Sequence, residues 1–160
     1  MIGGLTQAGL EFVIGNLRDA DAAEVRATID KGSAEATAKL IAGIPGPKWE
    51  ARIEDDAEPA AVGGFVPIWP GMGSGWMWGT DRWGEVVHEV TRAMKRHILP
   101  TLDARGVHRI ECRAMATNTA SIRWLEMLGF RREAVIAQFG QGREDFVLCA
   151  RVTDNAARRH

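Results

Sequence analysis

The sequence predicts one α/β domain, a mixed sheet of six to seven strands flanked by about four helices. Three observations carry that prediction. Apolar residues switch between a two-residue and a three-to-four-residue spacing along the chain, the periods of strand and helix. The segments so defined run β-α-α-β-β-β-α-β-α-β-β, with helices distributed among strands. The chain has 160 residues, with neither an internal repeat nor a linker-like run, which fits a single domain.

In order, "LEFVIGNL" (10–17) alternates loosely, is rich in β-forming residues and predicts a strand. Leu17, Ala22, Val25 and Ile29 recur at helical spacing, so 19–30 predicts a helix with Asp19 at its start. Residues 33–43 predict a second helix, capped by Ser33, with Gly43 near its end and Pro45 beyond. Residues 48–54 and 60–69 read as strands, Gly63-Gly64 suggesting a bulge, and "PGMGSG" (70–75) as the turn into a strand at 76–80. Val86, Val87, Val90, Met94 and Ile98 form one stripe, predicting a helix over 84–99 that Pro100 ends or kinks. Residues 107–115 predict a strand, 118–130 a helix closing in Gly129-Phe130, and 132–139 with 144–152 a hairpin joined by "GQGR". The domain is expected over 10–152. Residues 1–9 are a flexible leader, or an edge strand offered to a partner copy in a homodimer, and 153–160 are a tail.

Composition excludes several classes. With 46% hydrophobic and 26% charged residues the chain is neither disordered nor in need of metal or disulfide staples. A net charge of −1 gives no electrostatic reason to expect nucleic acid or a membrane surface. No apolar run approaches the ~20 residues of a membrane span. The N-terminus lacks a signal-peptide pattern, so the expected location is cytoplasmic. Cys112 and Cys149 lie in separate strand-like runs and read as small buried hydrophobes, forming neither a disulfide framework nor a metal site.

The segment "NTASIRWLEMLGF" (118–130), following the fifth strand, resembles the GNAT (Gcn5-related N-acetyltransferase) superfamily through Asn118, Ser121, Leu128, Gly129 and Phe130. The ending "EDFVLCARV" looks like the last strand of that family, and "GTDRW" (79–83) is similar to a turn in GNAT-like proteins of bacteriophages and prophages. The resemblance implies a GNAT fold whose fourth and fifth strands, here 76–80 and 108–115, splay apart to admit the pantetheine arm of acetyl-CoA as a co-substrate, with no metal. It further implies that the helix start near Gly84 receives the pyrophosphate through unpaired N–H groups, and that an amine of a small molecule or protein accepts the acetyl group.

The residues meet those implications unevenly. The family's phosphate loop reads Gln or Arg, two residues, Gly, one residue, then Gly or Ala; in "GTDRWGEVVHE" (79–89) Gly84 follows Arg82 after one residue and Val86 takes a later position. Asp81 and Glu85 would cap that helix and repel a phosphate, so a self-capped helix competes with a phosphate site. The family's general-acid tyrosine falls at Leu125, and the chain contains no tyrosine. Ser121 is the candidate to contact the thiolate, or a small packing residue.

For the general base the candidates are Glu111, Glu50, His108 and Asp81, with a solvated strand charge as the plain alternative for Glu111. Trp76 and Trp78 share one strand face and read as core, or as an aromatic wall for an apolar acceptor. The expected co-substrate contacts are Trp78, Gly79, Thr80, Arg82, Trp83, Gly84, Asn118 and Ser121. Two readings stand at this point: an acetyltransferase, and a non-catalytic GNAT-fold protein with a binding or assembly role, which would explain the altered loop and missing tyrosine together.

Overall fold

The computed structural model describes residues 1–29, 33–54 and 58–153. Seven strands form one mixed sheet: β1 (Ile2–Gly4), β2 (Lys48–Arg52), β3 (Pro59–Trp69), β4 (Met72–Gly79), β5 (Arg109–Met115), β6 (Arg131–Ile136) and β7 (Phe146–Val152). Their spatial order is β1-β2-β3-β4-β5-β7-β6. The helices are α1 (Gln7–Gly15), α2 (Asp19–Thr28), α3 (Ala34–Gly43), α4 (Trp83–Ala93), α5 (Leu99–Ala104) and α6 (Thr119–Met127).

The largest departure from expectation is at the N-terminus. Residues 10–17 do not form a strand; they lie in and just after α1. Leu10 and Val13, three residues apart, are both fully buried. Strand alternation would have set Val13 on the face of Glu11, away from Leu10. The Thr6 hydroxyl oxygen accepts the Gly9 N–H at 3.0 Å and donates to Glu50 of β2 at 2.9 Å, so the helix start is capped and tied to the sheet. Residues 1–9, expected as a flexible leader, contain β1, which pairs antiparallel with β2 from Ile2–Ala51 to Gly4–Trp49. Of the expected tail, Thr153 alone falls within the described residues.

Two finer expectations also change. Gly63 and Gly64 make no bulge; the register shifts lie at Ala51/Arg52 and Pro67/Trp69. A Cβ on Gly63 would stand 2.4 Å from the Trp49 ring, and one on Gly64 2.7 Å from Trp76 Nε1, so both glycines make room for indoles. Nor does the helix from Trp83 stop at Pro100. It passes through a π-helical turn, Met94–Ile98, into α5. Proline lacks the N–H and crowds the preceding turn, and the wider i→i+5 turn accommodates both.

Helices cover both faces. Leu10 and Val13 of α1 pack with Ala38 and Ile41 of α3 against Val62 and Trp78. On the opposite face Val86 and Val90 of α4 pack on Ala51, Ala60 and Ala61. Leu99, Leu102, Ile122 and Leu125 of α5 and α6 pack with Ile110, Ala114, Val147 and Cys149. Between these halves is the feature that positions the site. β4 and β5 are parallel and pair only at Met72–Arg109, Gly73–Ile110 and Ser74–Glu111; beyond those pairs the expected splay opens.

Candidate active site

The splay starts where Gly75 meets Cys112. A Cβ on Gly75 would lie 2.9 Å from the Cys112 sulfur, so the absence of a side chain lets the thiol fill the vertex. Burial pushes that thiol up to about 12, which keeps it neutral and unreactive near pH 7. From the vertex a cleft of about 390 Å³ opens between the diverging strands. Its walls are mostly apolar, including Met77, Ala114, Met94, Leu99, Trp124 and Leu125.

The exposed edge of β4 follows from the alternation of its backbone groups. The Thr80 N–H turns toward β3 and donates to the Ala60 carbonyl at 2.9 Å. The Gly79 N–H turns the other way and donates to Asp21 of α2 at 2.7 Å. Two residues back, Met77 presents its N–H on that same splayed side, within the cleft.

Helix α2 spans the mouth of the splay. Asp21, 2% exposed, holds the Gly79 N–H and the Arg18 guanidinium at 2.8 Å, and the Arg18 N–H donates to the Gly79 carbonyl at 3.0 Å. One turn on, Glu24 Oε1 accepts the Met115 N–H of β5 at 3.0 Å and the Asn118 amide at 2.8 Å. Burial raises the Glu24 carboxyl above its ordinary value, against the lowering pull of the Asn118 and Met115 hydrogen bonds. One helix thus ties both strand edges through two carboxylates three residues apart.

The expected site residues fall into three groups. Ser121 lies in the first turn of α6 and lines the cleft; its N–H donates to the Asn118 side-chain oxygen at 3.3 Å, so Asn118 caps α6 while it orients Glu24. Gly79, Thr80, Arg82, Trp83 and Gly84 form the β4–α4 junction. There Arg82 is the N-cap, replacing the expected Asp81, and the Thr80 hydroxyl accepts the Arg82 N–H at 3.2 Å. Arg82 pairs with Glu85 at 2.8 Å, and a Cβ on Gly84 would meet nothing within 4 Å, so the first turn of α4 is open to solvent. Trp83 stands edge-on to Trp124 at 5.5 Å, with the Arg18 guanidinium over its ring at 5.5 Å. Trp124 in turn donates to Thr91 of α4 at 2.9 Å.

The third group lies apart from the cleft. Trp78 is buried in the α1–α3 core, in a tilted contact with Trp76 at 4.9 Å. Glu111 pairs with Arg109 at 2.8 Å and Arg113 at 3.4 Å, both carboxylate oxygens engaged. Glu50 is buried on Thr6 and Arg52, and His108 and Asp81 are exposed outside the cleft. Among the described residues no group of three or more His, Cys, Asp or Glu is placed to hold a metal ion. No helix among them is long and apolar enough to cross a membrane. Nothing in the sequence singles out Asp21, Glu24 or the Met77 amide. No local pattern marks them, because the partners of the two carboxylates lie 58 to 94 residues away.

The family model of the acetyltransferase (GNAT) domain matches residues 11–131, more than half of the chain. The chain belongs to the GNAT acetyltransferase family. Solved structures share its fold. A ribosomal-protein-alanine N-acetyltransferase from Brucella melitensis superposes with a TM-score of 0.73 at 18% identity, covering 96% of this chain and 99% of its own. The structure of yncA from Salmonella typhimurium with its cofactor acetyl-CoA superposes with a TM-score of 0.70 at 14% identity, covering 97% and 94%. No curated protein matches the sequence. Within this GNAT chain, Leu125, the position where the resemblance sets the family's tyrosine, is buried and lines the cleft with an apolar side chain.

Proposed function

We propose that this GNAT chain transfers an acetyl group from acetyl-CoA to an amine of a small molecule or protein. The observation that carries the reading is the splay: pairing stops at Ser74–Glu111 and leaves the Met77 N–H edge facing an apolar cleft. An unpaired strand edge can take an extended amide-bearing arm as an added strand. The Met77 N–H is the donor suited to polarise a thioester carbonyl there, in a dry site where such a donor is worth most. The first turn of α4 is open at Gly84, whose N–H and the helix dipole can face a pyrophosphate, while the N–H groups of Arg82 and Trp83 are already donated to Thr80. Ser121 and the Asn118 that orders it stand at the start of α6, where a thiolate would leave. The yncA protein, which shares this fold and whose structure holds its cofactor acetyl-CoA, supports the same co-substrate.

Calorimetric titration with acetyl-CoA and CoA, with thermal melting alongside, tests this. A ligand at one hundred times its Kd stabilises the fold by about 2.7 kcal/mol, a clear upward melting shift. No heat and no shift at millimolar ligand would overturn the reading and leave the non-catalytic alternative.

A further inference from the structure

The charges around the cleft are almost all spent on one another. Arg18 is paired with Asp21 at 2.8 Å, and Asp21 also holds the Gly79 amide. Arg113 pairs with Glu111 at 3.4 Å and lies over the Phe139 ring at 5.8 Å. Lys48 donates to the carbonyls of Ile44 and Gly46. Glu24 is the exception. Its Oε1 takes both donors, from Met115 and Asn118, and its Oε2 receives no hydrogen bond among the described residues. No buried side-chain oxygen or nitrogen among them lacks a partner, so the unpartnered Oε2 is accessible, and Glu24 lines the open cleft. Trp76, Gly64 and Pro47 line the same cleft and carry no charge.

We propose that Glu24 receives the acceptor: its Oε2 anchors a primary ammonium carried on an uncharged apolar or aromatic body beside Trp76, and takes the ammonium proton. This rests on the acetyl-transfer reading above. Oε1 fixes the carboxylate on two donors from β5 and α6, so Oε2 is held without rotamer freedom, the requirement for a base aimed at one nitrogen. A cation near an indole face is favoured by the ring quadrupole. A carboxylate on the carrier would meet Asp21 and Glu24, while Arg18 and Arg113 are already partnered by Asp21 and Glu111. The raised Glu24 carboxyl suits the exchange, since a carboxylate disfavoured by burial binds a proton more readily.

The ammonium R–NH3⁺ gives one proton to Glu24, and the amine lone pair attacks the thioester carbonyl carbon. The C–S bond breaks with its electron pair on sulfur, and a second nitrogen proton ends on that sulfur. The products are the acetamide and CoA thiol, and Glu24 returns its proton to water through the open cleft.

Two probes and one variant test this: 2-phenylethylamine, L-phenylalanine (the same body with a carboxylate), and Glu24→Gln. Glutamine keeps an oxygen for Met115 and Asn118, so the fold is retained. In calorimetry, 2-phenylethylamine is expected to bind the wild type, with or without acetyl-CoA. Binding at least tenfold weaker is expected of L-phenylalanine to the wild type and of 2-phenylethylamine to Glu24→Gln. In acetyl transfer, Glu24→Gln is expected to lose at least a hundredfold in kcat and the rising limb of the pH–rate profile, with acetyl-CoA affinity unchanged. Equal binding of the two probes, binding indifferent to Glu24→Gln, or an unchanged pH limb would overturn the proposal. Acetyl-CoA failing to bind while the amine binds through Glu24 would overturn the transfer reading and leave the amine site standing. Acetyl-CoA binding with no Glu24-dependent amine binding would do the reverse.

Discussion

Glu24 links the stability of the fold to pH. Its usual carboxyl value is 4.5 and burial raises it in the fold. Below the usual value the group is protonated in both states and costs the fold nothing. As pH rises the unfolded chain ionises first, so the stabilisation from the neutral form is lost until pH has passed the folded value. Glu24→Gln carries no charge at any pH. It is therefore expected to melt above the wild type at pH 8, with the gap closing toward pH 4; a gap independent of pH would show that the Asn118 and Met115 hydrogen bonds outweigh burial. Gly84 offers an opposed pair of readouts. Nothing lies within 4 Å of its added Cβ, and it sits in the first turn of α4. Gly84→Ala is expected to stabilise the fold by roughly 0.5–1 kcal/mol, the usual helix gain over glycine. If that turn holds the pyrophosphate, the methyl group also crowds the N–H groups, so acetyl-CoA affinity falls while Tm rises. Thermal melting and calorimetry of the one variant separate the two effects.

At the scale of elements, what is legible in the sequence is what is local. The stripe from Val86 to Ile98 and the Ser33 cap, which accepts the Ala36 N–H at 3.1 Å, need nothing from elsewhere in the chain. Helix α1 reads as a strand because Phe12, Val13 and Ile14 are β-forming residues; the deciding contact, Thr6 to Glu50, spans 44 residues. The fifth strand and α6 fall where the sequence puts them, so Ser121 is legible too, but β4 begins at Met72, inside the 70–75 segment read as a turn, and the three pairs that set the vertex of the splay lie in that segment. The carboxylates that finish the cleft are not, since α2 alone shows only ordinary helix acids. The Gly63-Gly64 pair stands out in the sequence, and its reason is not a bulge but the approach of Trp49 and Trp76. Gly63→Ala therefore puts a methyl group into the half-buried Trp49 indole and is expected to cost about 1–3 kcal/mol in urea unfolding. Gly84→Ala, the same change in open space, is expected to move the opposite way. A small effect at Gly63 would mean that Trp49 can swing aside.

At the scale of the whole molecule the sheet is two sub-sheets, β1–β4 and β5–β7, joined by three parallel residue pairs at one end of the seam. Nothing in the ladder holds the other end together. There α2 acts as the tie, with Asp21 on the Gly79 amide and Glu24 on the Met115 amide. A cleft held open this way keeps a fixed width without strand pairing across it, which is what an edge awaiting an extended ligand requires. Hydrogen exchange reads the arrangement directly. The amides of Gly79 and Met115 are expected to be protected although neither faces a strand partner across the seam, while Met77, on the same edge, exchanges quickly and becomes protected on adding acetyl-CoA. Asp21→Asn keeps an acceptor for Gly79 but removes the Arg18 partner from a buried site, at an expected cost of about 1–3 kcal/mol. If α2 ties the two halves, that variant also speeds exchange at Met115, on the far strand, because loosening one end of the helix loosens the other. Exchange at Met115 left unchanged would mean that Asp21 and Glu24 are separate anchors, and that the three pairs at the vertex hold the sheet together alone.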